Sequence, residues 1–175
     1  MHIYVINGKP RAGKDQFVLF CEKHAIWCQN VSTVDFVKYI AYKCGWNGEK
    51  TPENRAFLSG LKKLLTDWND VPYDKVFRKI NLFESEVESY DFSTDEAIVF
   101  IHCREPEEID KFVNRMGAKT ILIRRESVEG DNQSNASDDG VFDYTYDYII
   151  ENNGTLEELE QSAMTFLDGL GLLKS

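Results

Sequence analysis

Long apolar runs are missing from this chain. The longest falls far short of the roughly 20 residues that a membrane-spanning helix needs, so no membrane partner is expected. Met1-His2-Ile3 leads straight into a strand-like run without the charged-then-apolar order of a signal peptide. Positive charge is also scarce: 20 Lys and Arg stand against 30 Asp and Glu, a formal charge of −10. Proteins that bind nucleic-acid polymers are usually basic, so DNA and RNA are not expected as partners. A small anionic ligand remains compatible, because it needs only a local cluster of cations. The four cysteines, Cys21, Cys28, Cys44 and Cys103, fall at no metal-ligand spacing. They read as reduced core thiols of a cytoplasmic protein. No internal repeat is visible. With 42% hydrophobic residues over 175 positions, a single globular domain spanning 1–175 is expected.

What the chain does have is concentrated near its start. Gly8-Lys9-Pro10-Arg11-Ala12-Gly13-Lys14-Asp15 reads G-x-x-x-x-G-K-D. A phosphate-binding P-loop has the same pattern with Ser or Thr in the last place. Ile3-Tyr4-Val5-Ile6 before it suits a buried strand, and Asp15 to Ala25 after it puts Phe17, Phe20, Cys21 and His24 on one helical stripe. Glycine at both ends lets the backbone curl around an anion without Cβ clashes. The curled N–H groups and the helix N-terminus then face phosphate oxygens, and Lys14 adds a mobile positive charge. Asp15 replaces the hydroxyl that ordinarily serves Mg²⁺. A carboxylate can also serve that ion, directly or through water.

The rest of the chain alternates strand and helix signals. Strands are expected near 2–7, 28–33, 97–101, 119–124 and 146–151. Asp35 opens a helix with Phe36, Val37, Ile40, Ala41 and Cys44 inward. Thr51-Pro52 opens the next, with Phe57, Leu61, Leu64, Leu65 and Trp68 as its stripe. A third runs from Tyr73 to about Glu86 with Val76, Phe77 and Ile80 inward. These form an inserted helical region of about 35–90. A helix with Ile109, Phe112, Val113 and Met116 follows the third strand. From about 125 to 141 apolar content falls, as expected of a lid loop. Thr155 caps a last helix with Leu156, Leu159, Ala163, Phe166, Leu167 and Leu170 inward. The pattern predicts an α/β doubly wound fold. Its sites belong at the carboxyl ends of the strands, where the P-loop, Asp35, His102-Cys103-Arg104, Arg124-Arg125 and Asn152-Asn153-Gly154 fall.

With these residues in place the chain resembles the nucleoside monophosphate kinase branch of the P-loop kinases. It is most similar to phage-type deoxynucleoside monophosphate kinases and animal-type phosphomevalonate kinases. Aspartate at the end of the P-loop pattern is a habit of both. Asp35-Phe36-Val37-Lys38, Gly45-Trp46-Asn47-Gly48-Glu49-Lys50 with Arg55 and Leu58, and Ser137-Asp138 resemble phage-enzyme segments. Tyr148 to Leu159 resembles the closing strand and helix of this branch, including dephospho-coenzyme A kinases. The resemblance implies a three-layer P-loop kinase fold, a five-stranded parallel sheet in the order 2-3-1-4-5 with helices on both faces. It also implies Mg²⁺ as cofactor, and ATP with a small phosphorylated acceptor as partners.

Site roles follow from the resemblance and from charge. Gly8, Lys9, Pro10, Arg11, Ala12, Gly13, Lys14, Asp15 and Gln16, with Asn153 and Gly154, are expected to bind ATP. Arg11 is either a clamp on the phosphates or a solvent-exposed side chain. Lys14 with Arg124 or Arg125 is expected to neutralise the transferring group. Asp35, Lys38, Arg55 and Arg104 are expected at the acceptor. Asp15 is the expected metal ligand, with Asp35 as a second carboxylate. One departure stands out: His102 occupies the position where these kinases usually carry an aspartate. Two function classes therefore follow. One is a phosphotransferase acting on a (deoxy)nucleoside monophosphate, or on a non-nucleotide monophosphate such as phosphomevalonate. The other is a nucleotide-binding regulatory module with little catalysis.

Overall fold

The computed structural model describes residues 1–129 and 140–174. Most of the expected lid of 125–141, including Ser137, Asp138 and Asp139, therefore lies outside the described residues. Five parallel strands form one sheet in the order β2-β3-β1-β4-β5. They are β1 (His2–Asn7), β2 (Trp27–Ser32), β3 (Ala97–His102), β4 (Lys119–Arg124) and β5 (Tyr148–Glu151). The helices are α1 (Lys14–His24), α2 (Asp35–Lys43), α3 (Pro52–Asn69), α4 (Val71–Ser89), α5 (Pro106–Met116), α6 (Glu126–Glu129) and α7 (Leu156–Asp168). The predicted order of strands is the observed one, and the inserted region consists of α2, α3 and α4. No described helix is long and apolar enough to cross a membrane.

Period-two alternation explains the three layers. Tyr4, Ile6, Ile98, Phe100, Ile121 and Ile123 face one side, where they pack on Phe17, Val18 and Cys21 of α1 and on Leu159, Ala163 and Leu167 of α7. Val5, Val31, Val99 and Ile101 face the other, against Val76, Ile80 and Phe83 of α4 and Ile109 and Phe112 of α5. The run from Ala97 to Ile101 is buried throughout, as a strand covered on both faces must be. Thr155 accepts the Glu158 N–H while the Glu158 carboxylate accepts the Thr155 N–H, a capping box that starts α7. Thr51 caps α3 through the Asn54 N–H.

Several expected core positions are corrected. No residue of α3 is buried. Phe57, Leu64 and Trp68 are exposed, Trp68 at 82%. The stripe was sound as a helix signal, but α3 packs mainly on α2 and α4 and buries none of its residues. Phe77 is exposed on the outer face of α4. Cys44 is exposed rather than a core thiol, because it falls on the last residue after α2. Leu170 lies past the end of α7.

Candidate active site

Connections from β1 and β3 leave the sheet in opposite directions, so a crevice opens between the carboxyl ends of these neighbouring strands. The register aligns Ile6 of β1 with His102 of β3, and His102 with Ser32 of β2. The P-loop follows β1 directly. Its curl is held from both sides by asparagines. Asn7, fully buried, accepts the Gly8 N–H through Oδ1 at 2.8 Å and donates through Nδ2 to the Tyr146 hydroxyl at 2.9 Å. Asn152, also buried, donates to the Ala12 carbonyl at 2.8 Å. Gly8 (φ 149°) and Gly13 (φ 99°) take left-handed backbone. A Cβ on Gly8 would strike the Ile123 carbonyl, and one on Gly13 would strike the Asn152 amide. Gly13 is also the cap of α1 and supplies no side chain to its first N–H groups, which suits that end to an anion.

The glycine geometry carries a prediction. Gly13→Ala forces a non-glycine residue into left-handed backbone at a cost of about 1–3 kcal/mol, and displaces Asn152 besides. Its melting temperature should fall by at least about 2 °C. Gly60 of α3 has open space around it, so Gly60→Ala should raise the melting temperature through the unfolded state. A Gly13→Ala variant as stable as the parent would remove the Asn152 contact from the account.

A cleft of about 850 Å³ runs from the P-loop toward the inserted helices. The structure brings together Pro10, Arg11, Lys14 and Asp15 of the loop, Asp35 and Lys38 of α2, Arg55 of α3 and Arg104 after β3. Lys50 and Lys62 line it too; sequence reasoning gave neither a role. Lys38, Lys50 and Arg55 make no ion pair among the described residues. Of the remaining predicted ATP residues, Lys9 reaches the Glu129 carbonyl at 3.4 Å. Ala12 is buried under Asn152, and Gln16 sits in the first turn of α1.

Arg124 and Arg125 do not line the cleft. Arg124 is gripped by both oxygens of Glu129 and lies 3.6 Å from Glu151; the hydrogen bonds to Glu129 hold its guanidinium above its ordinary pKa. Asn153 accepts the Glu126 N–H at 2.9 Å. Gly154 leaves room for the Glu158 carboxylate of the capping box. The closing-segment residue that touches the P-loop is thus Asn152. Its neighbours in the Asn-Asn-Gly turn drew attention from the sequence, but only the fold shows which asparagine points inward.

Asp15 is 89% exposed at the loop, and its Oδ1 stands 3.6 Å from Nδ1 of His102, which is 17% exposed. Burial lowers the His102 pKa; Asp15 and Asp35 oppose the shift, while Lys14 and Arg104 reinforce it. Asp35 accepts the Ser32 N–H at 3.1 Å and pairs with Lys79 at 3.1 Å. Deeper in the wall, Lys62 lies 2.7 Å from both Glu105 and Glu108. The Cys103 thiol, kept protonated by burial, donates to Glu108 at 3.2 Å. Cys103, Glu105 and Glu108 place ligand atoms within 4.8 Å of one another, but the cation between the two carboxylates is the protein's own ammonium. A residue that could hold a divalent cation is Asp15, whose exposed carboxylate offers hard oxygen beside the loop.

Sheet order, P-loop and cleft together define the P-loop kinase type of α/β fold. No family model and no curated protein matches the chain. Among solved structures, a dephospho-CoA kinase from Campylobacter jejuni superposes with a TM-score of 0.52 at 13% identity, covering 97% of each chain. A sugar kinase from Janibacter sp. HTCC2649 is 14% identical over 100% of this chain and 99% of its own, with a TM-score of 0.48. The first of these supports the fold assignment.

Proposed function

We propose that the protein is an ATP-dependent small-molecule kinase that transfers the γ-phosphoryl group to a phosphorylated acceptor, in the first place a (deoxy)nucleoside monophosphate. The observation that carries this reading is one cleft lined both by a phosphate loop and by Lys38, Lys50, Arg55 and Arg104. Two anionic molecules meeting in one cleft need that concentration of cations. An acceptor phosphate oxygen attacks the γ-phosphorus as the bond to the β–γ bridging oxygen breaks, and ADP leaves. The protein's contribution is positioning and charge neutralisation. The loop N–H groups and Lys14 hold the donor phosphates. The acceptor phosphate is held by the cations of α2, α3 and the segment after β3. Arg124 acts on the transferring group only after leaving Glu129; Arg125 is the alternative. Asp15 would hold a divalent cation, which would supply further neutralisation of the phosphate charge.

One observation favours a non-nucleotide acceptor as a second reading. Among the described residues no Phe, Tyr or Trp lines the cleft to stack a base. Phosphomevalonate belongs in the acceptor panel for that reason. His102, standing where an aspartate is usual, favours the regulatory module with little catalysis.

A coupled ADP-release assay separates these readings. ADP formation should appear with one class of monophosphate and not with others. In a metal titration Asp15→Asn should raise the concentration for half-maximal rate by about tenfold or more. Superimposable curves would take Asp15 out of the mechanism. No ADP with any acceptor or metal, alongside retained ATP binding, would leave only the binding module.

A further inference from the structure

We infer that Asp15 and His102 form an oxygen–nitrogen ligand pair at the phosphate end of the cleft, selecting a divalent transition ion of the manganese or cobalt type over magnesium. The inference rests on the proposed nucleotide site and adds the identity of its ion. Separation is the first observation. Nδ1 of His102 and Oδ1 of Asp15 lie 3.6 Å apart, too far for a shared proton. Adjacent ligands on an octahedral ion with bonds of about 2.1 Å lie about 3 Å apart, a few tenths of an ångström of side-chain movement away. Asp15 is free to make that movement, being 89% exposed.

Placement of the imidazole is the second. His102 ends β3 between Ile6 of β1 and Ser32 of β2. Its carbonyl accepts the Thr33 N–H at 3.3 Å and the Ser32 hydroxyl at 3.4 Å. Its Nε2 is buried without a hydrogen-bond partner among the described residues. The ring therefore presents only Nδ1 to the P-loop. Imidazole nitrogen suits borderline transition ions, whereas magnesium demands oxygen and keeps its waters. An aspartate in place of His102 would offer two hard oxygens; the histidine changes which ion the pair favours.

The test is electron spin-echo spectroscopy of Mn²⁺ bound to the full chain, alone and with ADP. Directly coordinated histidine nitrogen should modulate the echo, and ¹⁵N-histidine labelling should change that modulation. The chain has three histidines, of which only His102 lines the cleft, so His102→Asp should abolish it. Calorimetry runs alongside: the ratio of ADP affinities in Mn²⁺ and Mg²⁺ should drop by about tenfold in His102→Asp. Mn²⁺ bound without nitrogen modulation in the labelled wild type would overturn the pair, whether or not the variant folds. An unchanged metal ratio in a folded variant would do the same. Nitrogen modulation with Mn²⁺ alone, but no ADP binding under any metal, would remove the nucleotide reading and leave the ligand pair standing.

Discussion

Lys14→Ala should weaken ATP binding by more than about tenfold in calorimetry. Lys14 is the first residue of α1 and lines the cleft beside the loop. The adjacent cap, Gly13, contributes no side chain, and on the proposed function Lys14 supplies a cation to the donor phosphates. Hydrogen bonds to charged groups contribute about 1.5–3 kcal/mol each, and 1.4 kcal/mol is a factor of ten in affinity. Losing one such contact to the β- and γ-phosphates accounts for the expected drop. Stability should change little, because the loop's shape depends on Asn7, Asn152 and the glycines. Unchanged affinity in a folded variant would refute the phosphate-loop assignment.

The second large effect concerns Lys62→Met, expected to destabilise the fold by about 3–5 kcal/mol, as when a buried ion pair loses one partner. Lys62 is 13% exposed and bridges Glu105 and Glu108, the latter 13% exposed. The methionine keeps the stem packed but leaves two carboxylates without their cation. Glu105→Gln with Glu108→Gln in the Lys62→Met background should restore much of the loss. A single variant within 1 kcal/mol of the parent in urea denaturation would show the triad to be solvent-screened. The pairing also sets a pH window. Burial works against both charges, but the carboxylates raise the Lys62 pKa above 10.5, and the ammonium lowers that of Glu105 below 4.5. The glutamate contribution is present above pH 4.5 and lost as pH falls through its lowered value. The lysine contribution is present below pH 10.5 and lost as pH rises through its raised value. Lys62→Met should flatten both flanks of the stability profile.

These two residues differ in how far the sequence reveals them. Lys14 stands inside a contiguous motif, and neighbours in sequence suffice to define it, because a P-loop is a local structure: strand, curl, helix. The strand order belonged to what the family likeness implied, and the alternation of Tyr4, Val5 and Ile6 already distributed the core between two faces. Local signals also placed α3, α4 and α7 within a few residues, through Thr51-Pro52 and the capping box of Thr155.

The contacts of Lys62, Asn7 and Asn152 were not legible, for a physical reason. Each acts on a partner far along the chain: Lys62 on Glu105 and Glu108, Asn7 on Tyr146, Asn152 on Ala12. A helical stripe states that a face is apolar but not what covers it, so Phe57, Leu64 and Trp68 read as core while α3 rides above the cleft. Periodicity reports local conformation; burial depends on which surface the fold brings opposite. The chain alone determined that a phosphate loop opens an α/β domain. Only the folded sheet decided that His102 faces Asp15, that Arg124 is held by Glu129, and that cations from α2, α3 and the segment after β3 share one cleft, because parallel crossovers align strand ends that lie some 95 residues apart in sequence.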